Sequence, residues 1–333
     1  MITAQAHPAQ PGWQQLWRDA VRDPRELLDM LDLPDLAATL SDVAAAQFPV
    51  RVPRGFVARM RRGDPHDPLL RQVLPVLDEE RIVAGFGLDA VGDGAARGTT
   101  GVIQKYAGRA LLVATGSCAV HCRYCFRRHF PYAEETAATG HWQAALDYLR
   151  ADTGIEEVLL SGGDPLSLST AKLAEFTDAL AHIPHVRRLR IHTRLPVVLP
   201  EREDAELLGW LRHLPQQVVV VIHANHANEF DAGVDAALAA LHATGATLLN
   251  QSVLLRGVND SAGALVALSL RSFAAGALPY YLHQLDRVAG SAHFELTDDQ
   301  ARHLHANLMA RLPGYLVPRL VREIAGEPNK TIL

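Results

Sequence analysis

Cysteine is nearly absent from this chain of 333 residues: there are three, Cys118, Cys122 and Cys125, all inside the stretch "GSCAVHCRYCFRRHF". So few thiols, so close together, exclude a disulfide framework and point to a compartment that keeps them reduced. Lysine is also scarce, with only Lys105, Lys172 and Lys330. Any reaction that needs a lysine amine therefore has three candidates. Positive charge is not in excess. The formal net charge is -5, which argues against a general nucleic-acid binder, although a basic cluster such as "RRHF" can still build a local basic site. Long hydrophobic runs are missing, and the longest, such as "QQVVVVIHA", are too short to span a bilayer. The N-terminus "MITAQAHPAQPGWQQLW" lacks the basic start and apolar run of a secretory signal. These absences lead us to expect a cytoplasmic protein with no membrane or nucleic-acid partner.

What is present is ordinary globular material, 48% hydrophobic and 21% charged, in a chain long enough for one large α/β domain with a smaller appendage. Residues 1–100 read as an N-terminal helical region. "PGWQQLWRDAVRD" sets Trp13, Leu16, Trp17, Ala20 and Val21 on one helical face, and Pro24, Pro34, Pro49 and Pro53 punctuate the residues after it.

From Arg109 a rhythm of strand-length apolar runs and amphipathic stretches begins. The runs are "RALLVAT", "EEVLLSGG", "VRRLRIHT", "QQVVVVIHA", "ATLLNQSVLL" and "LPYYLHQL". Between them, "LSTAKLAEFTDALAHI" spaces Leu173, Phe176, Leu180 and Ile183 as a helix does, and Thr297 with Gln300 has the spacing of a capping box. Strands that each lead into a helix imply a parallel sheet with right-handed crossovers. Six such units make a partial (β/α)6 barrel, expected over residues 101–312, with residues 313–333 as a C-terminal segment closing the site. Chemistry in such sheets gathers after the strands. There lie the cysteines, "SGGDP", "HTR", "HANHANE", "RGVND" and Asp286.

Three clustered cysteines have three explanations. They can be small buried hydrophobes, structural zinc ligands with His121 or His129, or ligands of a [4Fe-4S] cluster. The last leaves one iron without a protein ligand and open to chemistry. The pattern C-x3-C-x2-C after the first barrel strand, with Tyr124 just before the last cysteine, resembles the radical S-adenosylmethionine superfamily. "SGGDP", Ser161–Pro165, resembles that superfamily's glycine-rich segment. Together "CRYCFRRHF", "SGGDPL", "HTRLPVVLP", "NHANE" and "NQSVLLRGVND" resemble the lysine 2,3-aminomutases, over roughly residues 50–333.

The resemblance implies an isomerase that uses a [4Fe-4S] cluster on Cys118, Cys122 and Cys125, S-adenosylmethionine at Gly162, Gly163 and Asp164, and pyridoxal 5'-phosphate. Lys330, in "GEPNKTIL", would anchor the pyridoxal phosphate, and Lys105 and Arg109 would hold its phosphate. Arg127 would pair with the carboxylate of L-lysine, and Asp286 and Glu323 with its side-chain ammonium. An electron donor such as flavodoxin or ferredoxin is implied. The stretch "FVARMRRGDPHDPLLRQVLP" and the short C-terminus resemble the bacterial branch that supplies β-lysine for modifying elongation factor P. The alternatives are another radical S-adenosylmethionine reaction without pyridoxal phosphate, and a non-enzymatic zinc-binding module.

Overall fold

The computed structural model describes residues 12–138, 140 and 142–333. One ten-stranded sheet, paired in chain order, organises them. Its centre is six parallel strands: β3 (Arg109–Thr115), β4 (Glu157–Gly162), β5 (Arg188–Thr193), β6 (Gln217–Ile222), β7 (Thr247–Val253) and β8 (Leu278–His283). These are the six apolar runs of the sequence, trimmed by no more than three residues each. Each is followed by a helix on the outer face. In Thr170–Leu180, Leu173, Phe176 and Leu180 are fully buried, and Ser169 caps the N-terminus by accepting from the Lys172 N–H. Each such side chain contributes roughly 1.5–3 kcal/mol of burial. The expected capping box is present, with Thr297 Oγ1 accepting from the Gln300 N–H and Gln300 Oε1 from the Thr297 N–H.

Four further strands carry no clear signal in the sequence. β1 (Arg97–Thr99) and β2 (Val102–Tyr106) run antiparallel ahead of β3. At the other edge β9 (Arg319–Arg322) runs parallel to β8, and β10 (Thr331–Ile332) turns back on β9. They are short and half-polar, so they lack a periodic pattern. The closing segment is thus part of the sheet, and Leu333 also donates its N–H to the Leu320 carbonyl. No strand pairing joins β1 to β10. Side chains cross that lateral opening: the Tyr106 hydroxyl donates to Glu323 Oε1 at 2.7 Å.

The N-terminal region is a set of short helices broken at prolines. Trp13–Arg18 covers only part of the expected helix, and Trp13 packs inward while Trp17 and Leu16 are half-buried. The region docks on the cysteine loop: the Trp17 indole donates to the Cys118 carbonyl at 3.2 Å, and the Arg123 N–H to the Gln72 carbonyl at 2.8 Å. No helix among the described residues is long and apolar enough to cross a membrane.

Candidate active site

β3 delivers the cysteine loop. None of its three thiols is in a disulfide. Burial, with the Asp164 carboxylate and the other two thiols adding to it, pushes the Cys118 thiol well up, and burial with the Cys122 thiol pushes that of Cys125 to about 11. Thiols crowded in this way exchange protons for metal, since ligation requires the thiolate. No set of three or more His, Cys, Asp or Glu side chains stands in metal-holding geometry among the described residues. The donor chemistry nonetheless fits a three-thiolate cluster: Cys122 Sγ already accepts from Arg194 Nη1 at 2.7 Å, and Arg194 is held by Glu229 at 2.9 Å and Gln72 at 2.6 Å. The loop is clamped from behind by Glu79, whose carboxylate takes Arg123 Nε at 2.8 Å and Arg128 Nη2 at 2.8 Å. Arg123, Arg128 and Glu79 are all buried.

β4 ends in the glycine segment. Gly162 has φ +116°, a conformation that favours glycine. A Cβ on Gly163 would collide with the Ser117 carbonyl, so the two loops touch through bare backbone. The side chain of Asp164 is fully engaged within the chain. Its Oδ1 accepts from Thr193 Oγ1 at 2.7 Å and the Leu166 N–H at 3.1 Å, and its Oδ2 from the N–H groups of Arg194 at 2.7 Å and Leu195 at 3.2 Å. Burial still raises its carboxyl to about 6. These four donors make it a tie between the ends of β4 and β5.

The remaining expected residues converge on the lateral opening. β9 is parallel to β8, so Glu323, just after β9, lies on the same side as Asp286, just after β8. The Lys330 ammonium forms a very short ion pair with Glu323 and lies 5.9 Å from the centre of the Tyr281 ring. Burial raises the Asp286 carboxyl to about 7, although Lys330 pulls it down. Glu323 would also be raised by burial, but Lys330, Tyr106 and Lys105 hold it below the usual range. Lys105 is 2.7 Å from Asp93 Oδ1, donates to the Val91 carbonyl at 2.7 Å and lies 3.5 Å from Glu323. Its protons therefore face this chain's own acceptors. Arg109 stacks on Tyr106 at 4.4 Å and makes no ion pair among the described residues. Arg127 Nε donates to Asp93 Oδ2 at 2.7 Å and its Nη1 to Ser161 Oγ at 3.1 Å.

Sequence reading missed Asp93, Glu79, Gln72, Arg194 and Tyr106. It also assigned no role to three barrel histidines. Burial keeps His192 and His283 well below the usual imidazole range and His223 at about 4, so all three stay neutral. His192 Nε2 and His283 Nε2 are buried without a hydrogen-bond partner in the described residues. Both lie within electrostatic reach of Lys330. Unpaired neutral ring nitrogens beside a lysine fit a heteroaromatic cofactor with polar substituents. The one available signal was position, since His192 and His283 stand at the C-terminal ends of β5 and β8 and His223 directly follows β6.

Residues 112–262 match the model of the radical SAM superfamily. The L-lysine 2,3-aminomutase of Escherichia coli (strain K12) is 47% identical over 98% of this chain and 95% of its own length. That of Haemophilus influenzae is 47% identical over 96% of this chain and 95% of its own. The L-lysine 2,3-aminomutase of Clostridium subterminale is 34% identical over 83% of this chain and 66% of its own.

Proposed function

This chain belongs to the lysine 2,3-aminomutase family of radical S-adenosylmethionine enzymes, and from that premise we propose that it converts L-lysine to β-lysine. It is an isomerase whose cofactors are a [4Fe-4S] cluster, S-adenosylmethionine and pyridoxal 5'-phosphate. When bound, the cluster supplies the electron that cleaves S-adenosylmethionine, and pyridoxal phosphate carries the substrate amine through its 1,2-shift.

The chain's own residues hold and orient. Cys118, Cys122 and Cys125 hold the cluster, and the half-buried, side-chain-free backbone at Gly162 and Gly163 admits S-adenosylmethionine against it. Arg109, free of ion pairs among the described residues, is the stronger candidate for the phosphate. Lys105 contributes charge from behind. Arg127 offers its open edge to the substrate carboxylate. Asp286 and Glu323 take the side-chain ammonium, which selects lysine over amino acids that lack that charge.

One observation carries the substrate reading: the Lys330 ammonium rests on Glu323, within reach of Asp286. The chain's own lysine thus pairs with one of these carboxylates and lowers the carboxyl of the other through space, and a substrate lysine has the same end group. When Lys330 anchors pyridoxal phosphate instead, that seat opens. Resemblance in the N-terminal stretch supports a reading in which the product serves modification of elongation factor P. It also implies a flavodoxin- or ferredoxin-like electron donor and a cytoplasmic setting.

Anaerobic turnover of isotopically labelled lysine, with the product identified by chirality, tests the reaction. Borohydride reduction and peptide mapping test the anchor. A pyridoxyl label on Lys330 is expected, and a label on Lys105 or Lys172 with none on Lys330 would overturn it.

A further inference from the structure

We infer that Asp93 is a positioning residue for Arg127, with Lys105 as its counter-cation, and that this bridge decides where a substrate carboxylate can land. The inference rests on the carboxylate role proposed for Arg127. A guanidinium presents five N–H groups in one plane. Asp93 Oδ2 takes Nε at 2.7 Å and Ser161 Oγ takes Nη1 at 3.1 Å. Nη2 has no partner among the described residues. The plane is therefore oriented before a ligand arrives, and one edge is left for it.

The other oxygen of Asp93 is engaged as well, at 2.7 Å from the Lys105 ammonium. Burial alone would raise the Asp93 carboxyl, but Arg127 and Lys105 outweigh it and hold the group below the usual range. It stays charged through neutral pH. The turn that carries Asp93 is itself set in place. Asp89 accepts from the N–H groups of Asp93 and Gly94, each at 2.9 Å. Gly92 has φ +70°, and a Cβ there would come 2.8 Å from that of Ala325. The turn is thus wedged against the segment that carries Glu323.

A chain of charges then runs Arg127–Asp93–Lys105–Glu323, the last link being 3.5 Å. It ties the carboxylate end of the site to the ammonium end.

The test uses full-length protein loaded with cluster and pyridoxal phosphate but without S-adenosylmethionine. Lysine binding is read from the absorbance of the bound cofactor. Asp93→Asn is expected to weaken lysine binding by roughly tenfold or more, the scale of one charge-assisted hydrogen bond. Cadaverine, which has both amines and no carboxylate, is expected to bind parent and variant alike with iron content unchanged, while the loss of a buried partner lowers the melting temperature. Unchanged lysine affinity, or an equal loss for cadaverine, would overturn the inference. Arg127→Ala separates the two levels. If it also binds lysine normally, the carboxylate role of Arg127 fails. If only Asp93→Asn is silent, the bridge alone fails. Should Asp93→Asn not fold, Asp93→Glu keeps the charge and lengthens the arm, and the same selective loss for lysine is expected.

Discussion

Glu203 is the residue most at odds with its surroundings. Both carboxylate oxygens are shut from solvent without a hydrogen-bond partner among the described residues, and burial raises the carboxyl to about 8. Its pKa is higher in the folded chain than in the unfolded one. The folded state therefore binds more protons from about pH 4.5 to 8, and stability falls as pH rises through that window. Glu203→Gln should gain nothing near pH 4.5 and raise the melting temperature at pH 8 by a few degrees, at roughly 2–4 °C per kcal/mol. Thermal melts at the two pH values check this. Asp286 obeys the same rule and is proposed above to meet the substrate ammonium. With its carboxyl at about 7 in the ligand-free protein, the ionised form needed for an ammonium fills as pH rises through 7. Since kcat/KM reports free-enzyme groups, kcat/KM for lysine should climb through that range and level off. Asp286→Asn should lower the plateau by about tenfold or more, losing one charge-assisted bond, and erase that limb of the pH profile.

At the scale of elements, the C-terminal hairpin decides how Lys330 is presented. β10 is only Thr331–Ile332, paired with Arg322 and Val321, and Leu333 packs on the apolar cluster that includes Leu320 and Leu316. The hairpin returns Lys330 to Glu323, seven residues earlier. Removing residues 331–333 leaves Lys330 in the chain but unties it. Pyridoxal phosphate affinity should fall about tenfold or more, the cost of ordering a loosened terminus, while the iron content stays at parent level. An absorbance titration with pyridoxal phosphate, alongside iron analysis, gives both readings. Unaltered affinity would show that Lys330 needs no strand to hold it.

Across the whole molecule, the N-terminal region and the barrel share one polar core. Glu79 and Gln72 come from the first hundred residues, yet Glu79 neutralises Arg123 and Arg128 of the cysteine loop, and Gln72 reaches Arg194, Asn225 and Tyr124. Removing one partner of a buried pair leaves the other charge uncompensated, at about 3–5 kcal/mol. Glu79→Gln should lower stability by about that amount and speed iron loss to a chelator. Denaturant melts and the rate of iron release check it. A variant as stable as the parent would mean that the loop does not depend on this clamp.

The sequence by itself determined the six parallel strands, the helices between them, and the position of the cysteines, Asp286 and the glycine segment just after strands. It could do so because those features are local: apolar runs, helical spacing and short motifs hold their meaning without knowledge of distant residues. Resemblance then supplied Arg127, Glu323 and Lys330 as site residues. Only the tertiary structure decided who faces whom. β1, β2, β9 and β10 are too short for periodicity to reveal, and they gain strand geometry only from neighbours already in the sheet. Asp93 sits in a glycine-rich turn that looks like any solvated loop until folding buries it between Arg127 and Lys105. That four donors converge on Asp164 and that Asp93 meets Lys105 is likewise invisible in the sequence. Partnership between charges more than thirty residues apart, such as Asp93 with Arg127, depends on distance in space, and only the closed sheet sets that distance.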